Sequence, residues 1–223
     1  MKGQIRKKIS SETVLVLAIA LFLNVAVYYG ARAIAANWHH YDVALPLDEK
    51  IPLVPWTVVI YFGCYLFWGV NYCICALQEN TQRNRYFCAD TIAKILCFVI
   101  FLAFPSTAAR PEIEESGVWG SLMGLLYDID SPDNLFPSIH CLLSWLCWIG
   151  VRKRKDISPV YRGLSLVMAL AVCACTLTTK QHVIVDVVGG VALAELCYLL
   201  AGIPKVCAAY DWVLEKLQRL FRK

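Results

Sequence analysis

Residues 160–202 read VYRGLSLVMALAVCACTLTTKQHVIVDVVGGVALAELCYLLAG. Two runs, 160–179 and 183–202, carry almost no charge. Each holds roughly the 20 residues that a helix needs to cross a ~30 Å hydrocarbon core. Between them stand Lys180, Gln181 and His182, and four residues past the histidine Asp186 lies inside the second apolar run. The runs point to helices in a membrane. The polar groups between and within them raise the question of function.

The rest of the chain extends this pattern. Further apolar runs occupy 13–36, 56–78, 88–107 and 138–151. The whole sequence of 223 residues is 59% hydrophobic and only 17% charged, far from the balance of a soluble domain. The expectation is an all-α integral membrane protein with six transmembrane helices, forming a single membrane domain over 1–223. The fourth run is short, because Pro137 to Val151 rises only ~22 Å as a helix.

Charge placement orients these runs. Of the 21 lysines and arginines, all but Arg32, Lys50, Arg110 and Lys180 fall at the N-terminus (Lys2, Arg6, Lys7, Lys8), near the second link (Arg83, Arg85, Lys94), near the fourth link (Arg152 to Lys155, Arg162) or in the tail. The positive-inside rule then places both termini and the even-numbered links in the cytoplasm. The basic N-terminus and its apolar run resemble a signal peptide, but the run is too long for one and reads as an uncleaved first span. None of the eleven cysteines falls in an outer loop. They read as small packing residues, and neither Cys73-x-Cys75 nor Cys173-x-Cys175 has the second pair that a zinc site needs.

The first outer loop, 37–55, holds His39, His40 and three prolines. The second, 108–137, is acidic, with Glu112, Glu114, Glu115, Asp128, Asp130 and Asp133. Within it Trp119, Leu122, Met123 and Leu126 share one helical face, which predicts a short helix at the outer interface, an anchor or a lid. The tail, 204–223, places Val206, Tyr210, Val213, Leu214, Leu217 and Phe221 on one stripe and predicts an amphipathic helix on the inner surface.

A set of polar residues gathers at the outer ends of the spans: Arg110 after the third, Ser138 and His140 at the fourth, and Lys180, His182 and Asp186 at the sixth. Each has a bland reading. Arg110 can snorkel, Ser138 can cap a helix whose first turn follows Pro137, His140 can be a core histidine, and Lys180 a loop charge. Asp186 is harder to dismiss, since an ionisable side chain at such depth marks function by default. His182 and Asp186, four apart, share a helical face. Two histidines, one oriented by a carboxylate, with Arg, Lys and a serine hydroxyl, suit a phosphate ester.

FPSIH (136–140) and TKQHVIVDVVGG (179–190) resemble the second and third signature motifs of the type-2 phosphatidic acid phosphatase superfamily, which also holds haloperoxidases, sphingomyelin synthases and inositol phosphotransferases. The resemblance implies a helical-bundle phosphatase core in the last four spans. It implies His182 as nucleophile held by Asp186, His140 as the acid for the leaving group, and Ser138 as a phosphate ligand. Arg110-Pro111 match the end of the first motif, with Lys180 as a further phosphate-binding cation. Two family positions depart: Ala103 stands where the first motif has lysine, and Cys175-Thr176 where the third has Ser-Arg. The expected function is a metal-independent lipid phosphate phosphatase without cofactor, acting through a phosphohistidine on the non-cytoplasmic face. Its expected partners are the lipid phosphate substrate and membrane lipids, with no nucleic acid. A head-group phosphotransferase using an alcohol acceptor remains open. So does a transporter with a His/Asp ion path, although the apolar inner halves of the last three spans disfavour it.

Overall fold

The first helix, α1 (Ser11–Ala35), starts where Ser10 accepts a hydrogen bond from Thr13 N at 3.1 Å, satisfying one of the donors a helix start leaves open. The computed structural model describes residues 10–113 and 116–221. Lys2, Arg6, Lys7, Lys8, Glu114, Glu115, Arg222, Lys223 and the side chain of Phe221 lie outside the described residues. The chain continues through α2 (Val58–Ala76), α3 (Asn80–Ala103), α4 (Val118–Ile129), α5 (Ile139–Arg152), α6 (Pro159–Thr178), α7 (Ile184–Leu200) and α8 (Pro204–Phe221). Two-residue strands, β1 (Tyr41–Asp42) and β2 (Ser106–Thr107), pair in parallel and tie the two long loops together.

The fold is all-α and membrane-like, with an apolar helix at each of the six expected places. Length separates them. α1, Pro55–Ala76, α3 and α6 can each cross a membrane, and α7 with α8 makes a fifth candidate only as a pair bent by 87°. α5, of 14 residues, rises only ~21 Å. It packs against α2, α6 and α7, so protein rather than lipid surrounds most of it. Leu142, Leu146 and Cys147 on it are fully buried.

Three local expectations change. α3 begins at Asn80 rather than 88, because Arg83 turns inward and pairs with Glu12 of α1 at 2.6 Å. Lys94 belongs to neither surface. It is buried in α3, bonded to Asp90 at 2.8 Å and to Ala20 O at 2.9 Å, and so staples α3 to α1. α4 turns part of its apolar face to protein rather than to the interface: Met123 and Leu126 bury against Val58 and Tyr61 of α2 and Cys175 of α6.

The helix ends fall into two groups. At one, Thr13 Oγ1 reaches Ala76 O (3.5 Å), Arg154 reaches Ile74 O (3.3 Å) and Asn84 reaches Asp211 of α8 (2.8 Å). At the other, Arg32 of α1 pairs with Asp133 (3.2 Å), and the backbones of Val54 and Thr178 join at 2.8 Å. The predicted even-numbered links share the first end, and the long loops share the second. α7 meets the start of α5 through glycine: a Cβ on Gly190 would lie 2.5 Å from Ser138 O, and one on Gly189 2.5 Å from Phe136 Cε2. That approach brings two pieces of polar sequence, 40 residues apart, into one place.

Candidate active site

The turn between α6 and α7 carries His182. Its backbone N–H and that of Gln181 both donate to Thr176 O at 3.0 Å, folding the turn back on the end of α6. Asp186, on the first turn of α7, is fully buried. One oxygen, Oδ2, accepts from Val183 N at 3.0 Å and faces His182 Nδ1 at 3.2 Å. The same carboxylate therefore caps the helix and orients the imidazole, leaving the other ring nitrogen free. Burial opposes a charge on His182, but the hydrogen bond and negative charge of Asp186, with Asp130 further off, outweigh it and raise its pKa above the ordinary imidazole value.

Ser138 N donates to Asp186 O at 3.1 Å, and Ser138 Oγ accepts from Cys141 N at 3.3 Å. Ser138 is thus the N-cap of α5, and it is fully buried. In the first turn of α5, His140 faces the nucleophile candidate with ring centroids 5.8 Å apart. Arg110 approaches from the second loop, donating to Asp130 O and to Gln181 Oε1, both at 2.5 Å, and covering the Tyr127 ring at 4.9 Å. Arg110 Nε and Gln181 Nε2 are buried donors with no hydrogen-bond partner among the described residues. Lys180 is not brought into this group. It has a left-handed backbone (φ 56°), and its ammonium donates to Asp48 O (3.0 Å) and Ile51 O (2.5 Å) of the first loop.

The structure adds residues that sequence reasoning missed. Asp130, at the end of α4, lies 4.0 Å from His140 Nε2. It accepts from Tyr28 at 2.7 Å and from Tyr61, whose hydroxyl is also 3.3 Å from His140 Nδ1. Burial alone would raise the Asp130 pKa, but His140 and the two tyrosine hydroxyls hold it below the usual carboxylate value. In the sequence Asp130 was one of several loop acids. The one hint was its place just past the apolar stripe that ends at Leu126. Nothing distinguished Tyr61 from the other tyrosines, and Gln181 was visible only as the neighbour of His182.

A cavity of about 170 Å³ opens beside these groups, lined by Tyr28, Tyr65, Trp68, Asp130, His140 and His182 among others. Two histidines face it, each beside a carboxylate. Residues 31–200 match the family model described as the PAP2 superfamily. The chain belongs to the PAP2 superfamily. No curated protein sequence matches it. Superfamily membership and the apolar helices point to an integral membrane protein and to an enzyme of the phosphatase type. The family match runs through both histidines, Arg110, Asp130 and Asp186. Of the departing positions, Ala103 ends α3 and Cys175 packs beside Tyr61, while Thr176 is buried and lends its carbonyl to the histidine turn.

Proposed function

We propose that the protein is a lipid phosphate phosphatase that works through a phosphohistidine on His182, without metal. The arrangement that carries this reading is the pair of histidines, 5.8 Å apart, one fixed through Nδ1 by a buried aspartate. His182 Nε2 attacks phosphorus as the bond to the lipid oxygen breaks, and His140 gives that oxygen its proton. Water then attacks the phosphorus and returns a proton to His140. The P–N bond breaks, releasing phosphate. Asp186 balances the charge on the phosphorylated ring. Arg110 and the start of α5, capped by Ser138, hold the phosphoryl oxygens, and Arg110 Nε, which has no hydrogen-bond partner among the described residues, supports that role. The substrate is a phosphomonoester or pyrophosphate of a lipid. The cavity beside the two histidines takes its phosphorylated end.

We place the site on the non-cytoplasmic face and both termini in the cytoplasm, from the charge distribution. A second reading, transfer to an alcohol, draws support from Ala103 and Thr176, which stand where the hydrolases of the resemblance carry cations. Free phosphate measured against new lipid products distinguishes water from alcohol as acceptor.

The test separates the two histidines. A lipid alkoxide needs a proton to leave, so His140→Ala lowers lipid hydrolysis by roughly the 10²–10⁴-fold of general acid catalysis. Nitrophenolate leaves unaided, so with p-nitrophenyl phosphate His140→Ala releases a burst of nitrophenol and stalls. His182→Ala releases none. Rescue of His182→Ala by the aryl substrate refutes the assignment. Activity that survives chelators and is blocked by vanadate accords with it, and a strict magnesium requirement sinks the metal-free mechanism.

A further inference from the structure

His182 is gripped from two sides. From within α7, buried Asp186 holds its ring through Nδ1. On the far side the first loop holds the turn that carries it. Asp48 is 8% exposed, and its carboxylate accepts from Leu45 N through Oδ2 and from Ile184 N through Oδ1, both at 2.8 Å. Ile184 is the first residue of α7, so a carboxylate from a loop 136 residues away serves a donor that the helix start leaves open. Lys180 reaches back the other way to the carbonyls of Asp48 and Ile51. Val54 N bonds Thr178 O at 2.8 Å, and the hydroxyls of Thr57 and Thr178 meet at 2.9 Å. Loop 45–57 therefore contacts the histidine turn before, at and after Lys180.

Lys180 also pays for its place. Its φ of 56° lies in the left-handed region that a lysine disfavours and that only surrounding structure enforces. A lysine held there while its ammonium joins two loop carbonyls fastens the turn, rather than serving the cavity.

We propose that loop 45–57 is a clasp on the catalytic turn, and that Asp48 and Lys180 are positioning residues that fix His182 for attack. This rests on the reading of His182 as nucleophile. A displacement of a reacting atom by 1 Å can cost roughly 10²-fold in rate. Releasing the clasp therefore slows the nucleophilic step without touching the groups that bind phosphate.

The experiment uses the full chain in the His140→Ala background, where p-nitrophenyl phosphate gives a burst. The burst amplitude counts folded sites, and its rate constant reports attack by His182. Inhibition by inorganic phosphate reports anion binding. Lys180→Met and Asp48→Ala are each expected to keep the amplitude and the phosphate inhibition while slowing the burst by roughly 10²-fold. Lys180→Arg, which keeps donors for the two carbonyls, restores most of the rate. Three results overturn the clasp. Lys180→Met weakens phosphate inhibition while Asp48→Ala does nothing, which makes Lys180 an anion ligand. The amplitude falls with the rate constant per remaining site unchanged, or no folded protein is recovered, which makes the contacts structural only. Or both variants burst at the parental rate. Absence of a burst in the His140→Ala parent is a different failure, and refutes the phosphohistidine reading itself.

Discussion

Asp186→Asn removes a charge from beside the proposed nucleophile and keeps nearly every atom. Both hydrogen bonds of Asp186 end on one oxygen, from His182 at 3.2 Å and Val183 at 3.0 Å. An asparagine with its carbonyl oxygen in that place keeps both. Its amide nitrogen then replaces Oδ1, which is buried with no hydrogen-bond partner among the described residues, and the unsatisfied donor costs ~1–3 kcal/mol of stability. Lost entirely is the negative charge facing the imidazolium that forms as His182 takes the phosphoryl group. Unit charges at that separation attract by ~5 kcal/mol at an effective dielectric constant of about 20. Realising ~3–4 kcal/mol of it in the transition state corresponds to a rate loss of about 10²–10³-fold.

The pH profile adds a sign. Nε2 must be unprotonated to attack, so the rate climbs as pH rises through the His182 pKa. Asp186 raises that pKa against the opposing effect of burial. Without the carboxylate, burial dominates, and the acid limb of the profile moves to lower pH. Pre-steady-state nitrophenol release in the His140→Ala background, followed across the acid and neutral range, measures both effects. A loss of less than one order of magnitude, or an acid limb that stays in place, refutes the role given to Asp186.

Arg110→Ala removes the guanidinium with its bonds to Asp130 O and Gln181 Oε1; KM and the vanadate concentration for half-inhibition should rise about 10–10²-fold, from ~1.5–3 kcal/mol for a hydrogen bond to a charged group. Gly190→Ala drives a Cβ to 2.5 Å from Ser138 O; melting in detergent should show a loss of ~1–3 kcal/mol, with activity reduced, while Gly69→Ala, inside α2 with no atom within 4 Å, should leave activity intact and lower stability not at all. Ser116→Cys and Asp156→Cys, each in a chain freed of its native cysteines, should react with an impermeant label from outside and only after permeabilisation, respectively; the reverse pattern puts the site in the cytoplasm.

Membrane character was legible residue by residue, because a helix exposed to lipid must be apolar along its length. Where lipid exposure ended, so did the signal. α3 extends two turns beyond its apolar stretch because Arg83 finds Glu12 on another helix. Lys94 reads as a surface charge until Asp90 and Ala20 O are seen around it. α5 is shorter than a span because its neighbours, and not its own length, shield it.

The site divides in the same way. His182 and Asp186 are four apart on one segment, so local helical geometry alone predicts their contact, and the sequence sufficed for it. Ser138 and Pro137 announced a helix start for the same local reason. Contacts across the fold have no such periodicity. Asp130 reaches His140 only because α4 packs on α2 and α6. Tyr28 and Tyr61 reach Asp130 from two different spans. Lys180 carried the right charge at the right place in the chain, yet its ammonium follows the first loop, some 130 residues away in sequence. An apolar helical protein with a histidine–aspartate pair at a helix start follows from the residue order alone, because hydropathy and helical spacing are properties of neighbours along the chain. Which second carboxylate meets His140, and which way Lys180 turns, was decided only by tertiary packing, because the free energy of a buried polar group depends on partners that only the folded chain supplies.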